Sequence, residues 1–162
     1  MNSDFTLVFD EDMVDAEIWS ILTEVYVNGG FTELSDANVL FKPSNVRARG
    51  KILGVRDRKS NKLAGIVILV SPDSTACRLA KNNEAEIQLL AVHNQFRRQG
   101  LGQFLVQSSI GLAKDIGYSK IVLWTQSTMH DAQNLYASQG FLAVEQFKKN
   151  DRLFIVYNLL VT

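Results

Sequence analysis

Apolar residues recur along this chain with two different periods. Phe5–Phe9 alternates as a half-buried strand does. Asp10, Glu11 and Asp12 then supply a cap and first-turn acids for a helix whose apolar face would be Val14, Ile18, Ile21, Leu22 and Val25, ended by Asn28-Gly29-Gly30. Ser35 or Asp36 would cap a short second helix, Ala37–Lys42, stopped by Pro43, with Ser44–Gly50 following as a basic loop. Lys51–Arg56 and Leu63–Val70 form a strand pair around the polar turn 57–62, and the continuous apolar run Ile66–Val70 belongs at the centre of a sheet. Beyond the polar loop Ser71–Asn83 comes a further strand, Ala85–Val92, then a helix from Leu101 with Phe104, Leu105, Ser108, Leu112 and Ile116 along one side and Gly117 as its stop. Lys120–Gln126 reads as a strand, parallel to Ala85–Val92 because the crossover is helical. A helix over Met129–Gln139 turns Ala132, Leu135 and Tyr136 inward and stops at Gly140; a last hairpin pairs Phe141–Lys148 with Arg152–Leu160. The order predicts an α/β (mixed α+β) domain with a central mixed sheet, and a length of 162 residues fits one domain, 1–162, with no linker or repeat.

The segment joining the central strand to its helix carries the chemistry. Arg97-Arg98-Gln99-Gly100-Leu101-Gly102 places two cations and two glycines at a helix N-terminus. Backbone N–H groups there lack partners within the helix, the helix dipole adds positive charge, and glycine lets a bulky anion approach the main chain. These are the components of a phosphate site. Gly100-x-Gly102-x-x-Leu105 lacks the third glycine of a dinucleotide fingerprint, and no Gly-x-x-x-x-Gly-Lys-Ser/Thr occurs. The hexapeptide instead resembles the Arg/Gln-x-x-Gly-x-Gly/Ala signature of the GNAT superfamily of N-acetyltransferases. The preceding Ala85-Glu86-Ile87-Gln88-Leu89-Leu90-Ala91-Val92 resembles that family's fourth strand, with an acid eleven positions before Arg97. Ala132-x-x-Leu135-Tyr136-x-x-x-Gly140-Phe141 is similar to its closing helix and turn. The resemblance covers roughly residues 84–145 and implies a sheet whose central parallel strands splay apart.

It also implies acetyl-CoA as cosubstrate. Its pyrophosphate would lie on the loop Arg97, Arg98, Gln99, Gly100, Leu101, Gly102 and Gln103, and its pantetheine arm would pair with Leu90, Ala91 and Val92, the Leu90 N–H polarising the thioester carbonyl. The acceptor amine must lose a proton before it attacks. Glu86 matches the base position of histone-type members, with Glu84 as the alternative, and strand alternation would put Glu86 on one face with Gln88, Leu90 and Val92. Tyr136 stands at the family's general-acid position. Met129 stands where many members carry an asparagine that contacts the cofactor arm, which leaves Asn134 as the candidate substitute. His130, at a helix start, reads as a surface residue.

Charge refines the acceptor. Residues 1–41 hold nine of the 17 acids and no Lys or Arg, leaving all 17 bases against eight acids in the remainder. If Glu24, Glu33 and Asp36 face the acceptor site, they favour a cationic amine, small molecule or peptide. A net charge of zero gives no bulk case for nucleic acid, and no apolar run approaches the ~20 residues that a bilayer requires. The N-terminus Met1-Asn2-Ser3-Asp4 shows no secretory pattern, and the one cysteine, Cys77, suits a reducing compartment, so a cytoplasmic location is expected. Two histidines and one cysteine make no metal cluster. With no cysteine at a nucleophile position, direct transfer in a ternary complex is expected over a covalent acyl-enzyme, and a homodimer is allowed. The alternative is a non-catalytic acyl-CoA-binding or regulatory domain of the same fold.

Overall fold

The computed structural model describes residues 3–161; Met1 and Asn2, which open the segment read as lacking a secretory pattern, lie outside the described residues, as does Thr162. Seven strands form one sheet in the order β1-β2-β3-β4-β5-β7-β6, comprising β1 (Phe5–Phe9), β2 (Lys51–Asp57), β3 (Leu63–Val70), β4 (Glu84–Val92), β5 (Lys120–Gln126), β6 (Leu142–Lys149) and β7 (Arg152–Leu160). Every neighbouring pair is antiparallel except β4–β5, joined through the 16-residue helix α4 (Leu101–Ile116). The expected fold class and the parallel central pair are both present. β3 is buried at all eight positions because helices cover both faces of the sheet.

Those helices divide the core in two. On one face α4 and α5 (His130–Ser138) pack over Leu53, Val67, Ile87, Ile121 and Leu123; on the other, α1 (Asp15–Leu22), α2 (Leu34–Leu40) and α3 (Pro43–Arg49) cover Ile52, Ile66, Ile68 and Val70. The buried seam of α4 is Leu101, Leu105, Val106, Ser109 and Ala113, whereas Ile116 is exposed. The expected stripe through Leu112 and Ile116 is therefore rotated. Ser109 turns its hydroxyl back onto the Leu105 carbonyl at 2.9 Å, which lets a small polar residue sit in the seam with its donor satisfied.

Several N-terminal expectations need correction. The second helix runs Leu34–Leu40 with Glu33, not Ser35 or Asp36, at its N-cap, and Asp10–Asp12 form a 3₁₀ turn of their own ahead of α1. Pro43 starts a helix instead of ending one: it occupies the first turn of α3, where a missing N–H costs nothing, so Ser44–Gly50 is mostly helical and not a loop. Val14 precedes α1 and is exposed; α1 buries Ile18, Ile21 and Leu22. Beyond Leu22 the helix widens into a π-type segment, Thr23–Val27, closed by the Asn28 N–H donating to the Thr23 carbonyl at 3.0 Å. That widening sets the directions of Glu24 and Tyr26.

The acid-rich segment is held by arginines contributed later in the chain. Arg56 grips Glu17 with both terminal nitrogens, at 2.6 and 3.1 Å, and Arg47 pairs with Asp15 at 3.0 Å. Much of the charge asymmetry thus serves the docking of α1 onto β2 and α3.

Candidate active site

The sheet is interrupted where the signature predicts. β4 and β5 pair only from Glu84↔Lys120 to Glu86↔Val122, and past that point they diverge. On the opposite side of β4, Ile68 faces Gln88 but Ile66 faces Ala91, so β4 carries an extra residue. Leu89 takes it up in a left-handed conformation, φ +55°, which is costly for a bulky side chain. The bulge reverses the alternation. Ala85 and Ile87 lie with Leu90 and Val92 against the α4 face, and Leu89 and Ala91 lie on the opposite one. Glu86 and Gln88 alternate with Ala85 and Ile87, so strict strand parity, which grouped them with Leu90 and Val92, is corrected by one extra residue.

The gap so opened is a cleft of about 110 Å³ lined by Tyr26, Arg49, Ile87–Leu90, Trp124–Gln126, Met129, Tyr136 and Phe154. It continues into a wider groove bordered by the α1–α2 turn, α2, Arg78 and the β6–β7 turn. That turn is tied across the cleft: the Arg152 guanidinium and the Gln126 amide both donate to the Phe31 carbonyl, at 2.7 and 2.6 Å.

Beyond Leu90, the last β4 residue to line the cleft, the chain leaves β4 through a 3₁₀ turn, Asn94–Phe96, and enters α4 at Gly100, φ +78°. Arg98 is also left-handed, φ +64°. α4 has no side-chain cap and no acid in its first turn, although α1, α2 and α5 each begin with one. Its first N–H groups therefore remain available to an anion, beside exposed Arg97, Arg98 and Gln99. A Cβ on Gly102 would stand 3.1 Å from Leu135, so α5 packs close to this turn. Leu101 is buried, and Gln103 is exposed beyond it. Uncapped N–H groups and two flanking cations fit a pyrophosphate; the Glu24 carboxylate, which acts on Arg97, is itself taken up by His93 and the Asn94 N–H.

The catalytic candidates separate. Tyr136 packs its ring against Phe141 and Tyr157, at centroid distances of 5.7 and 6.1 Å, and lines the cleft. Its hydroxyl has no hydrogen-bond partner among the described residues, and burial pushes its pKa well above the usual tyrosine value, which keeps the proton on. Glu86 does not offer a free carboxylate. It is fully buried, and its oxygens accept from the N–H groups of Leu79 at 2.7 Å, Ala80 at 2.9 Å and Arg78 at 3.2 Å, and from Gln88 Nε2 at 2.6 Å. With these donors in place little lone-pair capacity is left to take a proton from an amine. Its expected place facing an acceptor is corrected: it clamps the 77–80 loop. Glu84 is spent on the Lys81 N–H at 3.1 Å and on Lys120 at 3.6 Å. Asn134 lies exposed on α5, outside the cleft lining, which includes Met129.

Sequence reasoning missed Tyr26. Partly buried, with its pKa raised by desolvation, it donates to the Leu90 carbonyl at 2.9 Å and so braces the bulge. No local signal marks it, because the contact spans 64 positions. The acids expected to face the acceptor also divide. Glu24 Oε2 lies 2.6 Å from His93 Nδ1 and accepts from the Asn94 N–H at 3.0 Å, so it secures the β4–α4 connection. Glu33 is 3.6 Å from Arg152; Asp36 and Glu33 border the groove, together with Arg49, Arg78, Lys149 and Arg152. Four bases against two acids make the groove more basic than acidic. Cys77 is a free thiol whose pKa is raised by burial and by Glu86, which leaves it a poor nucleophile. Among the described residues there is no metal-ligand cluster, and no helix is long and apolar enough to cross a membrane.

Comparison with known proteins agrees with this geometry. Human N-acetyltransferase 8 is 32% identical over 112 residues, a stretch that covers 68% of this chain and 45% of that protein. An acetyltransferase of the GNAT family from Staphylococcus aureus superposes with a TM-score of 0.79 at 16% identity, over 98% of this chain and 99% of that one. The yncA structure from Salmonella typhimurium, which holds its cofactor acetyl-CoA, gives 0.74 at 16% identity, over 99% and 95%. The model of the Acetyltransferase (GNAT) family matches residues 15–141, and the chain belongs to that family, whose cosubstrate is acetyl-CoA.

Proposed function

We propose that this protein transfers an acetyl group from acetyl-CoA to a primary amine by direct attack within a ternary complex. The observation that carries this is the Leu89–Leu90 bulge, which opens the β4–β5 gap between the uncapped start of α4 and the hydroxyl of Tyr136. Arg97, Arg98, the Gly100–Gly102 turn and Gln103 hold the pyrophosphate, and the β4 backbone at Leu90, Ala91 and Val92 aligns the pantetheine arm. When bound, acetyl-CoA supplies an acyl thioester, so transfer forms a C–N bond, breaks the C–S bond, removes one proton from the amine and adds one to the sulfur.

The Leu90 N–H stabilises the developing oxyanion while Tyr26 fixes the carbonyl of the same residue. Tyr136 protonates the leaving sulfur: it is neutral, and its hydroxyl has no competing partner among the described residues. That free hydroxyl favours an enzyme over a non-catalytic acyl-CoA-binding domain. The amine's proton leaves along the groove to solvent, past Asp36, whose carboxylate has no protein partner among the described residues. Glu86 is a positioning residue, holding Gln88 and the 77–80 loop. A reducing, cytoplasmic location belongs to the same proposal, in line with the free thiol at Cys77.

The test is a thermal-shift titration with acetyl-CoA together with CoA release on a panel of amines. Saturable stabilisation plus amine-dependent release is expected. Binding without release on any amine would leave only the non-catalytic reading, and no binding would overturn both.

A further inference from the structure

Two arginines in the groove lack the ion pairs that hold arginines elsewhere. Arg47, Arg56 and Arg152 each lie within ion-pair distance of a carboxylate, whereas Arg49 and Arg78 have no such partner among the described residues. Arg49 stands at the end of α3 and lines both the inner cleft and the outer groove. Its Nη1 donates to Gln88 Oε1 at 2.7 Å, and its Nη2 to the Leu40 carbonyl at 3.0 Å. Gln88 is oriented in turn by donating to Glu86 at 2.6 Å and to the Ala76 carbonyl at 2.9 Å, so its oxygen must face Arg49. This relay fixes a partly buried guanidinium with N–H groups to spare, at a place where desolvation disfavours its charge. Arg78, exposed across the groove lining, makes one side-chain contact, to the Thr75 carbonyl at 3.3 Å, and its charge acts on Arg49. The buried Glu86 carboxylate also acts on Arg49, but its oxygens are taken by backbone N–H groups and Gln88. Two like charges held together, neither in an ion pair among the described residues, form a site for an anion.

We propose that the acceptor is an amine bearing a carboxylate a few bonds from its nitrogen, an α-amino acid or close analogue, whose carboxylate is held by Arg49 and Arg78. The spacing follows from the cleft: Arg49 shares about 110 Å³ with Leu90 and Tyr136, so amine and anion must belong to one short fragment. Exposed Val39 and Leu40 line the same groove and accommodate an apolar side chain. The two cations would also favour loss of the amine's proton, since like charge disfavours an ammonium. The proposal rests on the acetyltransferase reading.

The experiment compares apolar amino acids, their carboxamides and the corresponding decarboxylated amines, for example leucine, leucinamide and 3-methylbutylamine. It measures kcat/KM, corrected for the fraction of neutral amine, and separately the thermal shift each gives in the presence of CoA. Loss of a charge-assisted pair is expected to disfavour the amide by roughly 10- to 100-fold. Arg49→Gln should collapse that acid-to-amide ratio, with the amino acid's thermal shift lost, and Arg78→Gln should reduce it severalfold. A merely structural role for Arg49 would slow every acceptor alike and leave the ratio intact, and that result would overturn the proposal. So would amides or cationic amines equal to or better than the acids in the wild type, or a loss of acetyl-CoA's own thermal shift in Arg49→Gln, which would assign the cations to the cofactor. Acetyl transfer to amines without a carboxylate preference sinks this inference alone; no transfer to any amine sinks the acetyltransferase reading with it.

Discussion

Glu86→Gln separates a structural carboxylate from a catalytic one. The change keeps the shape of the side chain and removes its charge. Oε1 can still accept from Leu79 and Ala80, but as a neutral carbonyl, and hydrogen bonds to charged groups are worth about 1.5–3 kcal/mol against about 1 for neutral ones. The new NH₂ then meets Gln88 Nε2, which stands 2.6 Å from Oε2 in the wild type. Gln88 cannot turn over to help, because its oxygen would face the Ala76 carbonyl and its amide would face Arg49. One buried donor is left unsatisfied, at about 1–3 kcal/mol. Together these terms give a loss of about 3 kcal/mol or more, hence a Tm lower by roughly 6–12 °C for a chain of this size. Circular dichroism melting reads the loss, and native-state hydrogen exchange should show faster exchange at the amides of residues 78–80. A Tm within about 2 °C of wild type, with those amides as protected as before, would refute the reasoning. If turnover in that stable variant also fell with an acidic limb missing from its pH–rate profile, the carboxylate would be the amine's base after all.

Gly100→Asp should abolish stabilisation by acetyl-CoA, because it puts a carboxylate at the anion site and a side chain at φ +78°; an undiminished shift in the thermal titration would count against the pyrophosphate assignment. Tyr136→Phe should lower kcat by roughly 10- to 100-fold at nearly unchanged Tm, since the hydroxyl it removes has no hydrogen-bond partner among the described residues; equal rates in single-turnover thiol release would remove Tyr136 from the mechanism. Glu17→Gln should cost about 1–2 kcal/mol at neutral pH by breaking the two-pronged contact with Arg56. Arg56 holds the Glu17 carboxyl below its ordinary value, so its stabilisation is full above that value and fades as pH falls through the folded pKa; melting curves of wild type and variant should converge at acid pH, and a gap that persists unchanged there would contradict the assignment.

What the sequence determined about this protein lies in its local signals. The two periodicities specify strands and helices from neighbouring residues alone, and the helical crossover makes β4 and β5 parallel. The Arg97–Gly102 loop is legible because helix-terminus chemistry is carried by consecutive residues. Tyr136 could be singled out from its position in a resembling helix, but that it lines the cleft with its hydroxyl unpartnered among the described residues depends on Phe141 and Tyr157, which pack its ring. Tertiary structure alone decided the rest. A single extra residue at Leu89 reverses every side chain after it, and strand alternation cannot register an insertion whose evidence lies in the partner strand. Pro43 reads equally as a stop or a start until the chain around it is folded. Charge was the least legible property: Glu24, Glu33 and Glu86 look alike in sequence, yet one secures a loop, one meets Arg152 and one is sealed by backbone N–H groups. The energy of a charge is set by the dielectric and the partners around it, and those partners come from segments that only folding brings together.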